Sequence, residues 1–145
     1  MALPPQKFRE IVFQLLYSHD FSPLEQDDSV PFMMQELKVT KRSMLQAHER
    51  VAQVLEKLPL IDVKIEQTST EYSFDRISRV EKTILRLAVF ELLYDPSIPP
   101  KVAIAEAIRL CRKFGTPESA HFVNAILDPI FKKDCCEHSN KSVSV

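Results

Sequence analysis

The sequence predicts an all-α fold, and three observations carry that expectation. There is a single glycine in 145 residues, apolar positions recur at spacings of three and four over most of the chain, and the prolines fall mostly between those periodic stretches. The lone glycine, Gly115, stands against an average usage of about 7%. Hairpins closed by Asn-Gly or Asp-Gly are therefore absent, which disfavours a β meander. Phosphate-cradling loops, dinucleotide folds and nucleophile elbows need glycine where backbone must approach a ligand or take positive φ, so these function classes are excluded as well.

A chain of 145 residues is close to the commonest size of one domain and buries roughly two thirds of its unfolded surface on folding. Its 45% hydrophobic and 27% charged residues match an ordinary soluble globular protein. No apolar run approaches the ~18 residues of a spanning helix, so no membrane association is expected. The opening MALPPQKFRE carries charge and two prolines where a signal peptide needs an uninterrupted apolar stretch, which points to the cytoplasm.

In order along the chain, the first helix is expected after Pro4 and Pro5, with Phe8, Ile11, Val12, Leu15 and Leu16 on one face, reaching towards His19. An acidic loop holding Asp20, Glu25, Asp27 and Asp28 follows, and then a short helix from Pro31 to about Val39. Thr40 is expected to cap a longer helix through Met44, His48, Val51, Ala52, Val54 and Leu55 to Leu58, ahead of Pro59. Leu60, Ile61, Val63 and Ile65 nearly alternate, which is a strand period. A lone strand would have no partner in an otherwise helical chain, so residues 60–71 are assigned to helix.

Ser73 to Tyr94 is apolar on most of its circumference, interrupted by Arg79, Glu81, Lys82, Arg86 and Glu91, and is expected to be a central helix with neighbours on several sides. After Asp95–Pro100 comes a helix through Val102, Ala103, Ile104, Ala107, Ile108, Cys111 and Phe114, with Gly115 expected as a left-handed C-terminal cap. Thr116 and Pro117 open the last helix as N-cap and first helical residue; it carries Phe122, Val123, Ile126, Leu127 and Ile130, and Pro129 is expected to kink or shorten it. Residues 1–134 form the helical domain and 135–145 an expected disordered tail, with the polar run from Lys132 leading into it.

Net charge is only −1, so charge alone does not capture nucleic acid. Its distribution is uneven. Residues 20–36 contain no lysine or arginine, whereas residues 101–133 carry Lys101, Arg109, Arg112, Lys113, Lys132 and Lys133 against Glu106, Glu118 and Asp128. Lys7 and Arg9 add to the basic side. By charge alone these are either solvated helix faces or a modest basic face whose phosphate contacts salt would weaken.

Catalytic arrangements are poorly supported, and the chain is not expected to be an enzyme. His19, His48, His121 and His138 are scattered without metal-ligand spacing, and His48 falls on an apolar stripe as a core or boundary residue. Cys111 sits on a packing face, where cysteine behaves as a small hydrophobe. Cys135 and Cys136 are adjacent, which does not give the spacing of a zinc knuckle with His138. No disulfide framework, metal or other cofactor is expected.

The run DRISRVEKTILRLAVFELL, followed by IPPKVAIAEAIRLCRKFGTPESAHFVNAILD, resembles the C-terminal half of the NusB family of transcription antitermination factors, and the opening helix FREIVFQLLYS is similar to that family's first helix. The resemblance covers most of residues 5–131 and is strongest from Asp75 onward. It implies two small helical bundles forming one domain. It also implies that the protein binds single-stranded box A RNA of ribosomal-RNA leader transcripts jointly with NusE, a small-subunit ribosomal protein. RNA polymerase, in an elongation complex with other Nus factors, then resists termination. Some family members self-associate, and the resemblance leaves a homodimer open.

By position, the family's RNA contacts fall on Lys7, Arg9, Lys101, Glu118, Ser119 and Phe122, and its NusE contacts on Tyr17, Arg79 and Glu81. An exposed Phe122 could take a base by stacking, and Ser119 with the helix N-terminal amides could meet polar groups; without the resemblance Phe122 reads as a core aromatic. Where the family typically clusters arginines at its N-terminus, this chain has Leu3, Pro4, Pro5, Gln6, Lys7 and Phe8, implying weaker RNA affinity and greater reliance on NusE. Ala105 replaces the family's asparagine and Ala125 its glycine, and both changes favour helix. A helical adaptor that binds protein but little RNA is the alternative. NusB-like domains also precede rRNA cytosine methyltransferases, but this chain is too short for the cofactor fold of such an enzyme.

Overall fold

The computed structural model describes residues 4–19, 40–70 and 73–135, and every regular element among them is helical. The expected helix over 31–39, the acidic loop from Asp20 and residues 136–145 lie outside the described residues. The chain divides into two compact units, one ending at Glu56 and the other beginning at Lys57.

In the first unit, α1 (Pro5–His19) packs on α2 (Lys41–Glu56). Proline at the start of α1 costs nothing, since its missing N–H would be unsatisfied there, and the Phe8 N–H already donates to Pro4 O at 2.9 Å. Ile11, Val12, Phe13, Leu15 and Leu16 face inward from α1, and Met44, Ala47, Val51 and Val54 from α2. Each large side chain among them contributes about 1.5–3 kcal/mol relative to leaving it exposed. Thr40 caps α2 as expected, its Oγ1 accepting from the Ser43 N–H at 3.1 Å.

In the second unit, α3 spans Leu58–Thr68, α4 Arg79–Tyr94, α5 Pro100–Phe114 and α6 Pro117–Ile130. A helix from Thr40 through Leu58 does not form as one piece: Lys57 breaks it, and Pro59 sits in the first turn of α3 instead of following its end. The near-alternation over 60–65 resolves by helical spacing. Ile61 and Ile65, four apart, are fully buried, while Leu60 and Val63 are exposed. Arg86 of α4 grips Asp62 of α3 through two bonds, Nε to Oδ1 at 2.9 Å and Nη2 to Oδ2 at 3.0 Å.

The expected helix from Ser73 to Tyr94 is also two elements. A short 3₁₀ turn, Phe74–Arg76, precedes Ile77, and Ser78 caps α4 by accepting from the Glu81 N–H at 3.2 Å. The Ser-x-x-Glu spacing of a helix start is present in the sequence, and it outweighs the apolar character of Phe74 and Ile77. From there α4 is the centre of the unit, packed against α3, α5 and α6 and burying even Glu91. Pro129 cannot donate a helical hydrogen bond, and α6 ends one residue later in a π-helical turn, Phe131–Cys135. Lys132 and Lys133 lie in that turn, and Asp134 reaches back to Lys64 of α3 at 3.3 Å. No helix among the described residues is long and apolar enough to cross a membrane.

Candidate functional site

The start of α6 is built by local chemistry. Thr116 Oγ1 accepts from the Ser119 N–H at 3.2 Å while Ser119 Oγ accepts from the Thr116 N–H at 3.3 Å, a reciprocal capping box with Pro117 inside it. Gly115 is not the left-handed cap expected from its position: its φ is −112° and its ψ −147°, and its N–H donates to Cys111 O at 2.8 Å. Glycine is needed there for closeness. A Cβ at 115 would lie 3.0 Å from Cys111 O and 3.1 Å from both Cβ and Oγ of Ser119, pressing on the cap itself.

Capped this way, α6 presents Glu118, His121, Phe122 and Ala125 along one face, at helical spacings of three and four. These residues line a cavity of about 360 Å³ whose remaining walls are Arg76, Ile77 and Ser78, from the segment before α4, and Glu81 of its first turn. Phe122 is half-buried, so its ring is anchored yet has a face on the cavity. The Ser78 hydroxyl donates to Glu81 Oε1 at 2.9 Å and orients that carboxylate. One guanidinium, two carboxylates, an imidazole and an aromatic ring thus surround one opening. The set suits a planar ligand with polar edges better than an apolar one.

Of the residues singled out by sequence, the structure brings Glu81, Glu118 and Phe122 together on this cavity. Ser119 lies beneath it, buried in the capping box. Lys101 and Arg79 are exposed in the first turns of α5 and α4 and do not line the cavity. Lys7, Arg9 and Tyr17 belong to the other unit: Lys7 is exposed, Arg9 is buried on α1, and half-buried Tyr17 packs on Phe13 at 6.1 Å between ring centroids. Sequence reasoning missed Arg76, Ile77, Ser78, His121 and Ala125. Helical spacing from Glu118 and Phe122 could have found the last two; Ser78 carries a local helix-cap signal, but nothing local places it, Arg76 or Ile77 on this cavity.

Two of the cations counted towards a basic 101–133 stretch are engaged by acids close to them in sequence. Arg109 Nε bonds Glu106 Oε2 at 2.8 Å, and Lys132 Nζ lies 3.0 Å from Asp128 Oδ2. The basic character is therefore more diffuse than the count of charges suggests.

Cys111 is buried, and its thiol is pushed from 9.0 up to about 12, first by burial and then by the negative charge of Glu81. With Cys135 and Cys136 replaced by serine, the native thiol is expected to resist alkylation at about pH 8, its thiolate fraction lowered about a thousandfold, and to label fully once the chain unfolds. Rapid labelling of the folded protein would contradict this burial. The unfolded thiol ionises first as pH rises, so its contribution to stability is complete below 9.0 and is lost as pH climbs towards 12.

Comparison with known proteins gives one consistent result. The NusB family model matches residues 6–132. A transcription antitermination protein NusB from Chlamydia pneumoniae is 39% identical over 140 residues, covering 97% of this chain and 88% of its own length. One from Geotalea daltonii is 42% identical over 130 residues, covering 84% of this chain and 90% of its own. Among solved structures, NusB from T. maritima superimposes with a TM-score of 0.75 at 34% identity, covering 92% of this chain and 94% of its own. A chain from a complex of the antitermination factors NusB and NusE with double-stranded RNA gives 0.74 at 26% identity, covering 88% and 95%.

Proposed function

The chain belongs to the NusB family, and we propose that it acts as a transcription antitermination factor, binding box A RNA of ribosomal-RNA leader transcripts jointly with NusE. RNA polymerase, in its elongation complex with other Nus factors, is thereby helped past terminators. The work is done in the cytoplasm by binding energy alone, without catalysis. Two modest RNA contacts on one joined surface act at raised effective concentration, so neither partner needs high affinity. The observation that carries the reading is Phe122, held half-buried in the second turn of a capped helix and lining a polar-rimmed cavity. An aromatic so placed offers stacking to an unpaired base.

In this reading Lys7, Lys101, Glu118 and Phe122 meet RNA, while Arg9 and Ser119, both buried, act through the geometry they hold. Tyr17, Arg79 and Glu81 meet NusE. The test is an anisotropy titration with box A RNA, single-stranded and as a duplex, with and without NusE. Tightest binding to the single strand with NusE is expected, and no binding in any arm would sink the reading. The cavity carries two carboxylates against one arginine, an arrangement that repels phosphate and favours the second reading, a protein-binding adaptor with little RNA affinity. NusE capture without RNA binding would select it.

Glu81→Lys is expected to weaken NusE capture about tenfold, mainly by slowing association with a basic partner, and the loss should shrink as salt rises. Circular dichroism should stay native, because the half-exposed Glu81 contributes only a few tenths of a kcal/mol to the first turn of α4. Unchanged capture would place the partner surface elsewhere.

A further inference from the structure

We propose that Phe74 is a positioning residue for the cavity: its ring, flanked by the cations of Lys82 and Arg86, holds the 74–78 segment in the place where Arg76, Ile77 and Ser78 complete the wall around Phe122. Phe74 itself does not line the cavity. Its ring centroid lies 4.3 Å from Lys82 Nζ and 5.6 Å from Arg86 Cζ. Both distances fall within the range at which a cation is attracted to an aromatic face.

The segment needs such a hold. A three-residue 3₁₀ turn has little hold on its own shape, and among the described residues this one is closed by two backbone bonds, Arg76 N–H to Ser73 O at 2.9 Å and Ile77 N–H to Phe74 O at 3.2 Å. Buried Ile77 anchors its far end, and Ser78 is committed to capping α4. Arg76 is exposed between Phe74 and Ile77, so its direction depends on what fixes the turn at Phe74.

Arg86 is suited to holding the ring because it is itself held by a second partner. Its two bonds to Asp62 lock the guanidinium between α3 and α4. A chain of contacts therefore runs from Asp62 through Arg86 and Phe74 to the wall that faces the proposed base-stacking residue. Loosening it would leave the cavity formed for only part of the time, and apparent affinity falls by that fraction.

The inference rests on the RNA-binding reading, and its test separates the two. Phe74→Leu keeps an apolar side chain but removes the ring face, Phe74→Tyr keeps the face, and Lys82→Gln removes one cation. Each full-length variant would be cut with trypsin without RNA, following the Arg76–Ile77 bond, then titrated with box A RNA plus NusE and melted. Phe74→Leu should speed that cut and weaken RNA binding about three- to fivefold, Lys82→Gln about twofold, and Phe74→Tyr should match the parent. Melting temperatures should stay within about 3 °C. An unchanged cut in Phe74→Leu overturns the proposal, as does a faster cut with unchanged RNA affinity, or a general rise in cleavage with a large melting loss. If the parent chain binds no RNA, the functional reading fails, and the cut at Arg76 still decides whether Phe74 holds the segment.

Discussion

Phe122→Ala is expected to weaken binding of box A RNA by about 1–3 kcal/mol, roughly a 5- to 150-fold rise in Kd. Alanine removes the aromatic face from the cavity lining while leaving Glu118, His121 and Arg76 in place, so the loss reports stacking more than charge. The residue is half-buried, and some stability goes with the ring. Phe122→Tyr is the control, since it keeps the stacking face and should hold affinity within about threefold. Anisotropy titration and thermal melting of both variants decide the matter. A large melting loss with intact RNA binding would return Phe122 to the role of a packing residue.

Leu85→Ala should cost about 2–5 kcal/mol of stability. Leu85 is fully buried on α4, the helix against which α3, α5 and α6 all pack, so truncation leaves a void that neighbours on several sides cannot all close. A fall in melting temperature of roughly 6–20 °C corresponds to that loss in a chain of this size. Leu60→Ala on α3 is the contrasting case. Leu60 is 59% exposed, and its truncation should cost no more than about 0.5 kcal/mol. Equal costs at the two positions would mean that α3 presents another face than the one described.

The legible parts of this protein are those governed by neighbours in sequence. Thr40 and Thr116 mark helix starts through bonds that reach only three residues, Pro117 does so through its fixed φ and missing N–H, and all three act as their chemistry predicts. The Ser78 cap is equally local, yet Phe74 and Ile77 make the stretch before it look like more of the same apolar helix. Apolar periodicity reports burial without saying whether the backbone between two buried residues is continuous. Pro59 misleads for a related reason: proline forbids the interior of a helix but welcomes its first turn, and only the turn at Lys57 shows which applies.

Sequence by itself determined the helical class, the ends of most helices, the family, and the presence of Glu118 and Phe122 on one face of the last helix. Tertiary structure alone decided that Arg76, Ile77, Ser78 and Glu81 join that face around one cavity, that Arg9 and Ser119 are buried, and that Gly115 serves close approach instead of a left-handed turn. The division has one physical reason. Caps and periodicity depend on bonds spanning a few residues, whereas a cavity wall and a buried charge depend on which distant segments meet, and the packing of α4 sets that only once the whole unit has formed.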